Sequence, residues 1–280
     1  MKIFHGVEEI RKGLTPGKES RRTIGLVPTM GALHAGHETL IRTARKAADI
    51  VVASIFVNPL QFGPNEDYAK YPRALPNDLE MCEGAGVDLV FAPPLEEMYP
   101  LPQLTFAEVT RISEHLCGAF RPGHFRGVAT VVLKLFNIVQ PDRAWFGEKD
   151  IQQLAVIRRM VTDLNLPIEI IGVPTVRESD GLAVSSRNQY LSPAGRQAAP
   201  VLYRALREAS SVFRSGERDA RKIREAAMVV LSKEPLVRVE YLEIVDPIEM
   251  QPVSEVSIPV RIAGAVRIGP TRLIDNVLVS

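Results

Sequence analysis

Apolar and polar positions along this chain predict strands and helices that take turns over most of its length. Residues 23–27 form a short apolar run that reads as a buried strand, stopped at Pro28 because proline cannot donate to a strand ladder. From His37 the spacing changes. Leu40, Ile41, Ala44, Ala47 and Ala48 recur at helical intervals, with Glu38, Arg42, Arg45 and Lys46 largely off that stripe. Residues 50–57 are a continuous apolar run bounded by Asn58 and Pro59, the pattern of a strand covered on both faces. Strand, helix and strand within roughly 35 residues predict a right-handed βαβ unit.

The alternation continues. Residues 58–71 are a polar loop containing Gln61, Asn65 and Asp67, and Pro76 opens a helix that runs through Leu79 and Met81 to residues 84–86. Residues 87–91 predict a strand closed by Pro93 and Pro94. A short strand over 104–109 and a short helix over 113–117 come next, then a loop over 118–127 with two arginines, a histidine and three glycines. A buried helix over 128–139, a strand over 143–146, a helix over 151–164 and a strand over 168–173 complete the series. Beyond Val176 the texture changes. Residues 177–188 are polar and turn-rich, a hinge or lid; Pro193 opens an amphipathic helix to about residue 215, and a second spans about 219–232. Three β-rich segments follow, over 237–245, 257–268 and 272–279. The pattern predicts an α/β parallel-sheet domain over 1–175 and a smaller α+β domain over 176–280.

Composition narrows the function classes. The 280 residues are 46% hydrophobic and 24% charged, ordinary for a globular protein, and the net charge of +1 argues against bulk attraction to nucleic acid or an acidic membrane. No apolar run approaches the ~20 residues that span a bilayer, and the first residues lack the pattern of a secretory signal. Cys82 and Cys117 lie in unrelated segments, and neither sits in a turn with His or basic neighbours at hand. Reduced, buried thiols and a cytoplasmic setting are expected.

The candidate chemistry gathers where strands hand over to helices. His34 and His37 stand at the first such junction, after Gly31 and near Gly36, where unpaired backbone N–H groups favour an anion. One of them could simply cap the helix. Two together at one junction point to a phosphate site, whereas zinc needs three or four protein ligands and no partner motif is present. Gly147-Glu-Lys-Asp150 repeats the arrangement, with Lys149 placed for anionic oxygens and Asp150 suited to a helix start, although such a run is more often a solvated turn. Gln61 and Gln153 lie near the same strand ends, where a neutral amide can hold a hydroxyl or carboxylate. Ser185, Ser186 and Arg187 offer two hydroxyls and a guanidinium for triphosphate oxygens, or an ordinary serine turn. Neither a P-loop nor a G-x-G-x-x-G fingerprint occurs.

These residues resemble a family. Pro28-Thr-Met-Gly31 with His34-Ala-Gly-His37, Phe56-Val-Asn-Pro59 with Gln61-Phe62, Tyr71-Pro72-Arg73, Arg121 to Val128, Phe146 to Asp150 with Gln152-Gln153, and Ser185-Ser-Arg-Asn188 resemble, in order, the pantothenate synthetases. The H-x-G-H element alone is shared with many nucleotidyltransferases and class I aminoacyl-tRNA synthetases. The resemblance implies a Rossmann-like domain with a small C-terminal lid, a cytoplasmic homodimer, and ATP with Mg²⁺. It implies that pantoate and β-alanine condense through a pantoyl-adenylate to pantothenate, releasing pyrophosphate and AMP. On the matching positions Met30, Gly31, Ala32, Leu33, His34, Ala35, Gly36 and His37 hold ATP, with His37 the proton donor. Gly147, Glu148, Lys149, Asp150, Val176, Val184, Ser185, Ser186 and Arg187 complete the nucleotide site. Gln61 binds pantoate and β-alanine, and Gln153 binds pantoate. His34, His37, Lys149 and Arg187 would be the catalytic set. Val184 stands where the family pattern has Met, and Asn77-Asp78 replaces a more acidic stretch of some relatives.

The chemistry fits these residue types. A carboxylate is already ionised at pH 7, so its attack on an α-phosphate needs no general base. It needs relief of anion repulsion and stabilisation of the leaving pyrophosphate. The rival readings are a nucleotidyltransferase that joins AMP to a phosphorylated metabolite, and a nucleotide-binding regulatory module without catalysis.

Overall fold

The computed structural model describes residues 1–64, 66 and 68–280; Asn65 and Asp67, in the polar loop noted above, lie outside the described residues. In chain order the elements are β1 (Lys2–Phe4), α1 (Val7–Glu19), β2 (Ile24–Thr29), α2 (Ala35–Arg45), β3 (Ile50–Ile55), α3 (Leu75–Ala85), β4 (Leu89–Phe91), α4 (Leu95–Met98), α5 (Cys117–Phe120), α6 (His124–Val139), β5 (Arg143–Gly147), α7 (Ile151–Asp163) and β6 (Glu169–Val173). Then come α8 (Pro193–Ala198), α9 (Val201–Arg214), α10 (Ala220–Ser232), β7 (Val237–Val245), β8 (Val260–Ile268) and β9 (Thr271–Val279). They form two compact bodies. One comprises Met1–Val109, Pro122–Glu148 and Val156–Pro174; the other comprises Thr110–Arg121, Lys149–Ala155 and Thr175–Ser280.

The first body is built on a parallel six-stranded sheet in the order β1-β4-β3-β2-β5-β6. Its central strands are nearly all apolar because both faces are covered. Val27, Ile41, Val51, Val90 and Trp145 meet in one core on the α2 side of the sheet. The second body pairs β7, β8 and β9 in an antiparallel sheet packed on its helices, with Leu202, Leu206, Phe213, Ile223, Ile262 and Val266 at the centre. An α/β parallel sheet accompanied by a small antiparallel sheet is therefore the architecture.

Several boundaries differ from the sequence pattern for identifiable reasons. β2 does not stop at Pro28 but continues to Thr29. Ile24 C=O accepts from Asp142 on the β5 side and Thr29 C=O accepts from Phe56 on the β3 side, so alternate residues address alternate neighbours. Pro28 addresses β5, whose pairing with β2 ends at Leu26, and its missing N–H breaks no bond. The helix expected from His37 begins at Ala35. Residues 104–109 form no strand, and the short helix expected over 113–117 lies instead at Cys117–Phe120. The loop expected over 118–127 is shortened at both ends, because α6 starts at His124. The helix expected from Pro193 to residue 215 is two helices broken around Pro200, whose ring cannot sit in a helix interior. β1 and α1 carry no expectation from the pattern, although Ile10, Leu14 and Gly17 make a buried stripe on α1.

Candidate active site

The strand order reverses between β2 and β5: β3, β4 and β1 lie on one side of that pair and β6 on the other. Connections leaving the two carboxyl ends diverge, which makes this the switch point where open α/β sheets collect ligands. β2 delivers Met30 to His37 there, and β5 delivers Gly147 and Glu148.

The turn after β2 is tight. Gly31 has φ of 78° and Ala32 has φ of 51°, a left-handed conformation that disfavours alanine by about 1–2 kcal/mol. Asp78, on α3 and only 3% exposed, holds it in place. One carboxylate oxygen accepts the Ala32 N–H at 3.0 Å and the other the Leu33 N–H at 2.7 Å. Burial pushes the Asp78 carboxyl above its ordinary value, while the two backbone donors work in the opposite direction. Gly31 is required here, since a Cβ would lie 2.9 Å from the Asp78 carboxylate. Cys82, one turn further along α3, has its thiol pushed up to about 12 by burial and then by the Asp78 charge.

His34 and His37 cap α2 reciprocally. His34 Nδ1 accepts the Gly36 N–H at 3.2 Å, and His37 Nδ1 accepts the His34 N–H at 3.3 Å. Each acceptor role puts the ring proton on Nε2, so both imidazoles are set as Nε2–H donors. Their rings lie 4.1 Å apart between centroids, inclined by 38°. Capping and phosphate binding are thus compatible, because capping uses Nδ1 and a phosphate would be met by Nε2–H on the other edge. Ala35 is exposed and Leu33 and Gly36 are half-buried around the pair.

Gln61 sits in the same body. It is buried in a short 3-10 turn, Pro59–Gln61, capped by Asn58. Asn58 Nδ2 donates to Gln61 Oε1 and to Gly127 C=O, each at 3.1 Å, and Tyr99 O–H donates to Asn58 Oδ1 at 2.8 Å. Gln61 Nε2 lies 3.0 Å from Met30 Sδ, and buried His124 donates through Nδ1 to Gln61 C=O at 2.8 Å. Gly127 has no room for a side chain: a Cβ would stand 2.2 Å from Leu60 O. Sequence reasoning assigns no role to Asn58, Tyr99, His124 or Asp78. The Asn58-Pro59 pair is a turn signal visible in the sequence, whereas the burial of Asp78 is not.

The second body holds the remaining candidates. Lys149 and Asp150 end a 3-10 turn that leads into α7, their charged groups 3.5 Å apart. Gln153 is half-buried on the first turn of α7. Its neighbour Gln152 is buried, donating to Ile112 and His115 C=O and accepting the Cys117 N–H, so its amide is engaged in fixing residues 112–117. Val184 N–H donates to Val176 C=O at 3.0 Å, which brings those two valines together. Ser185 Oγ accepts the Arg187 N–H at 3.3 Å and caps the 3-10 turn Ser186–Tyr190. The serine turn is therefore formed, with Ser186 and Arg187 half-buried on it. Cys117 does have a basic neighbour in space: Arg272 Nη1 donates to its Sγ at 3.2 Å across 155 positions of sequence.

The Pantoate-beta-alanine ligase family model matches residues 2–278. The chain is 56% identical over 279 residues to the pantothenate synthetase of Heliobacterium modesticaldum, covering 100% of this chain and 99% of the relative. It is 58% identical over 276 residues to that of Desulfitobacterium hafniense, covering 99% and 98%. Among solved structures, a pantothenate synthetase from Thermus thermophilus superposes with a TM-score of 0.95 at 51% identity, covering 100% and 99%. The pantoate-beta-alanine ligase of Francisella tularensis, complexed with beta-gamma ATP and beta-alanine, gives 0.81 at 35% identity, covering 99% and 97%. With nearly its whole length matched at more than half identity, the chain belongs to the pantoate–β-alanine ligase family.

Proposed function

We propose that the chain condenses pantoate with β-alanine at the expense of ATP, by way of a pantoyl-adenylate formed around the β2–α2 turn. The observation that carries the placement is the pair of Nε2–H donors fixed on His34 and His37 at the sheet's switch point. ATP engages Met30 to His37, Gly147 to Asp150, Val176, and Val184 to Arg187. His34, His37, Lys149 and Arg187 stabilise charge on the triphosphate as the pantoate carboxylate attacks the α-phosphorus and pyrophosphate leaves. His37 is the proton donor. Gln61 holds pantoate and later β-alanine, and Gln153 holds pantoate. The neutral β-alanine amine then attacks the acyl carbon, AMP leaves with the electrons of the broken acyl–oxygen bond, and water or a phosphate oxygen takes the amine proton. In this division residues 1–175 supply most of the ATP and pantoate contacts, and 176–280 act as the lid that supplies Val176 to Arg187.

Among the described residues no three or more His, Cys, Asp or Glu side chains could converge on a metal ion, and both Asp78 oxygens accept backbone N–H groups. Mg²⁺ arriving with ATP would supply neutralisation of the triphosphate charge. A cytoplasmic homodimer completes the reading. Leu101 and Leu104, 77% and 90% exposed on an irregular segment of the first body, support association with a second copy. Among the described residues no helix is long and apolar enough to cross a membrane.

Product analysis tests the reading. With ATP, pantoate and β-alanine present, AMP and pantothenate should accumulate in equal amounts, and leaving out either acid should abolish pantothenate. ATP binding without AMP release when both acids are present would overturn it in favour of a regulatory module.

A further inference from the structure

Two neighbouring residues near the end of the chain hold both cationic segments of the second body. Asp275 and Asn276 lie on β9 opposite Gly264 and Ala263 of β8, and each is only 4% exposed. Buried polar groups persist where their partners satisfy them. Asp275 receives Arg177 through two parallel bonds, Nη1 to Oδ2 at 2.6 Å and Nη2 to Oδ1 at 2.9 Å. Arg177 opens the segment that leads to Ser185, Ser186 and Arg187. Its guanidinium also donates to Gly181 C=O at 3.1 Å and stacks 3.8 Å above the Tyr203 ring. Asn276 uses both ends of its amide. Nδ2 donates to Lys149 C=O at 3.1 Å, 127 positions away, and Oδ1 accepts from Arg261 at 3.0 Å.

We infer that Asp275 and Asn276 are positioning residues for adenylation, Asn276 fixing the Lys149 backbone and Asp275 fixing, through Arg177, the segment that ends in Arg187. The inference rests on the reading of Lys149 and Arg187 as triphosphate-binding groups. Lysine carries its charge on a four-carbon stem, so only its backbone can be anchored without consuming the ammonium. A reacting group misplaced by about 1 Å loses about a hundredfold in rate, which is the effect such an anchor prevents.

The partners dictate the residue types. Lys149 C=O needs a donor and the Arg261 guanidinium needs an acceptor, and at 276 the asparagine amide supplies one of each. An aspartate there would set a carboxylate against the carbonyl. The two-pronged guanidinium of Arg177 needs two acceptor oxygens, which a carboxylate supplies and an amide does not. The two positions are therefore not interchangeable, although their side chains are nearly the same shape.

The test compares Asn276→Ala, Asn276→Asp, Asp275→Asn and Lys149→Ala by pantoate-dependent ATP–pyrophosphate exchange, with circular dichroism to confirm folding. All three β9 variants should lower kcat by roughly 10- to 100-fold, with the KM for pantoate within about twofold; because a smaller folded fraction would also lower apparent kcat at constant KM, rates are expressed per ATP-binding site titrated in each variant. Adding Asn276→Ala to Lys149→Ala should cost less than about a further twofold, because the anchor acts through Lys149. Full kcat in folded Asn276→Ala and Asn276→Asp, alongside a crippled Lys149→Ala, would overturn the inference and leave the adenylation reading standing. Multiplicative losses in the double variant would also overturn it. A fully active Lys149→Ala would instead sink the assignment of Lys149, and this inference with it. The Asn276 pair decides the Lys149 half; if Asp275→Asn fails to fold, Arg177→Lys, which keeps the charge but removes the two-pronged contact, decides the other half by the same kcat loss or its absence.

Discussion

The β2–α2 turn and the segments carrying Lys149 and Arg187 bear comparable chemistry and are held in opposite ways. Around His34 and His37 the support is mostly local: each ring is fixed by a backbone N–H two or three positions away, and one buried carboxylate steadies the preceding turn. Around Lys149 and Arg177 the support is remote, from β9 residues that lie 127 and 98 positions along the chain. A histidine pair can cap its own helix because imidazole carries an acceptor and a donor on different edges. The Lys149 ammonium is needed for the triphosphate and cannot be spent on its own carbonyl, so another element must hold that backbone. Local support leaves a motif in the sequence; remote support leaves isolated polar residues in a strand.

Substitutions can break the comparison on either side. The largest losses are expected from His37→Ala and Lys149→Ala, each slowing adenylation by roughly 10²–10³-fold while circular dichroism stays native. Equal rates in wild type and both variants would remove the catalytic roles given to these regions.

Next is Asp78→Ala, which strands two inward-facing N–H groups and should destabilise the first body by about 2–4 kcal/mol in urea unfolding. The pH dependence has a definite sign. The folded chain binds the Asp78 proton more tightly than the unfolded chain, so this site's contribution to stability falls as pH rises from the ordinary carboxyl value to the raised folded one, and is level above it. Asp78→Asn should remove that slope; an unchanged slope would mean another group produces it.

Gly127→Ala comes third. Its methyl would drive into the Leu60 backbone, shift the turn that presents Gln61 and cost about 1–3 kcal/mol, with the KM for pantoate rising and that for ATP nearly unchanged. The smallest effect concerns Cys82, whose thiol at about 12 should resist alkylation at pH 8 in native protein and react only on unfolding.

What could be read from the sequence follows the same line. The alternation of apolar runs with helical stripes gives the parallel sheet, because strands covered on both faces leave continuous apolar runs. The helix over about 219–232 and the three β-rich segments that become β7, β8 and β9 are equally legible. The failures are also physical. Pro28 is tolerated because the pairing of β2 with β5 has already stopped at Leu26, which depends on register and not on the residue. Residues 104–109 have strand-like composition but pair with no strand; Ala107 N–H donates instead to the Thr130 hydroxyl. At the candidate site, His34, His37, Lys149 and the Ser185–Arg187 turn are marked by residue type at a strand-to-helix junction or in a turn. Asp78, Asp275 and Asn276 are not, since burial of a polar side chain is a property of the assembled fold.

The most direct measurement is exchange of labelled pyrophosphate into ATP with pantoate present and β-alanine absent. Adenylation of pantoate ahead of amine attack requires exchange that rises with pantoate, vanishes without it and does not need β-alanine. Folded protein that binds ATP and forms pantothenate, yet shows no such exchange, would contradict a pantoyl-adenylate formed at the His34–His37 turn.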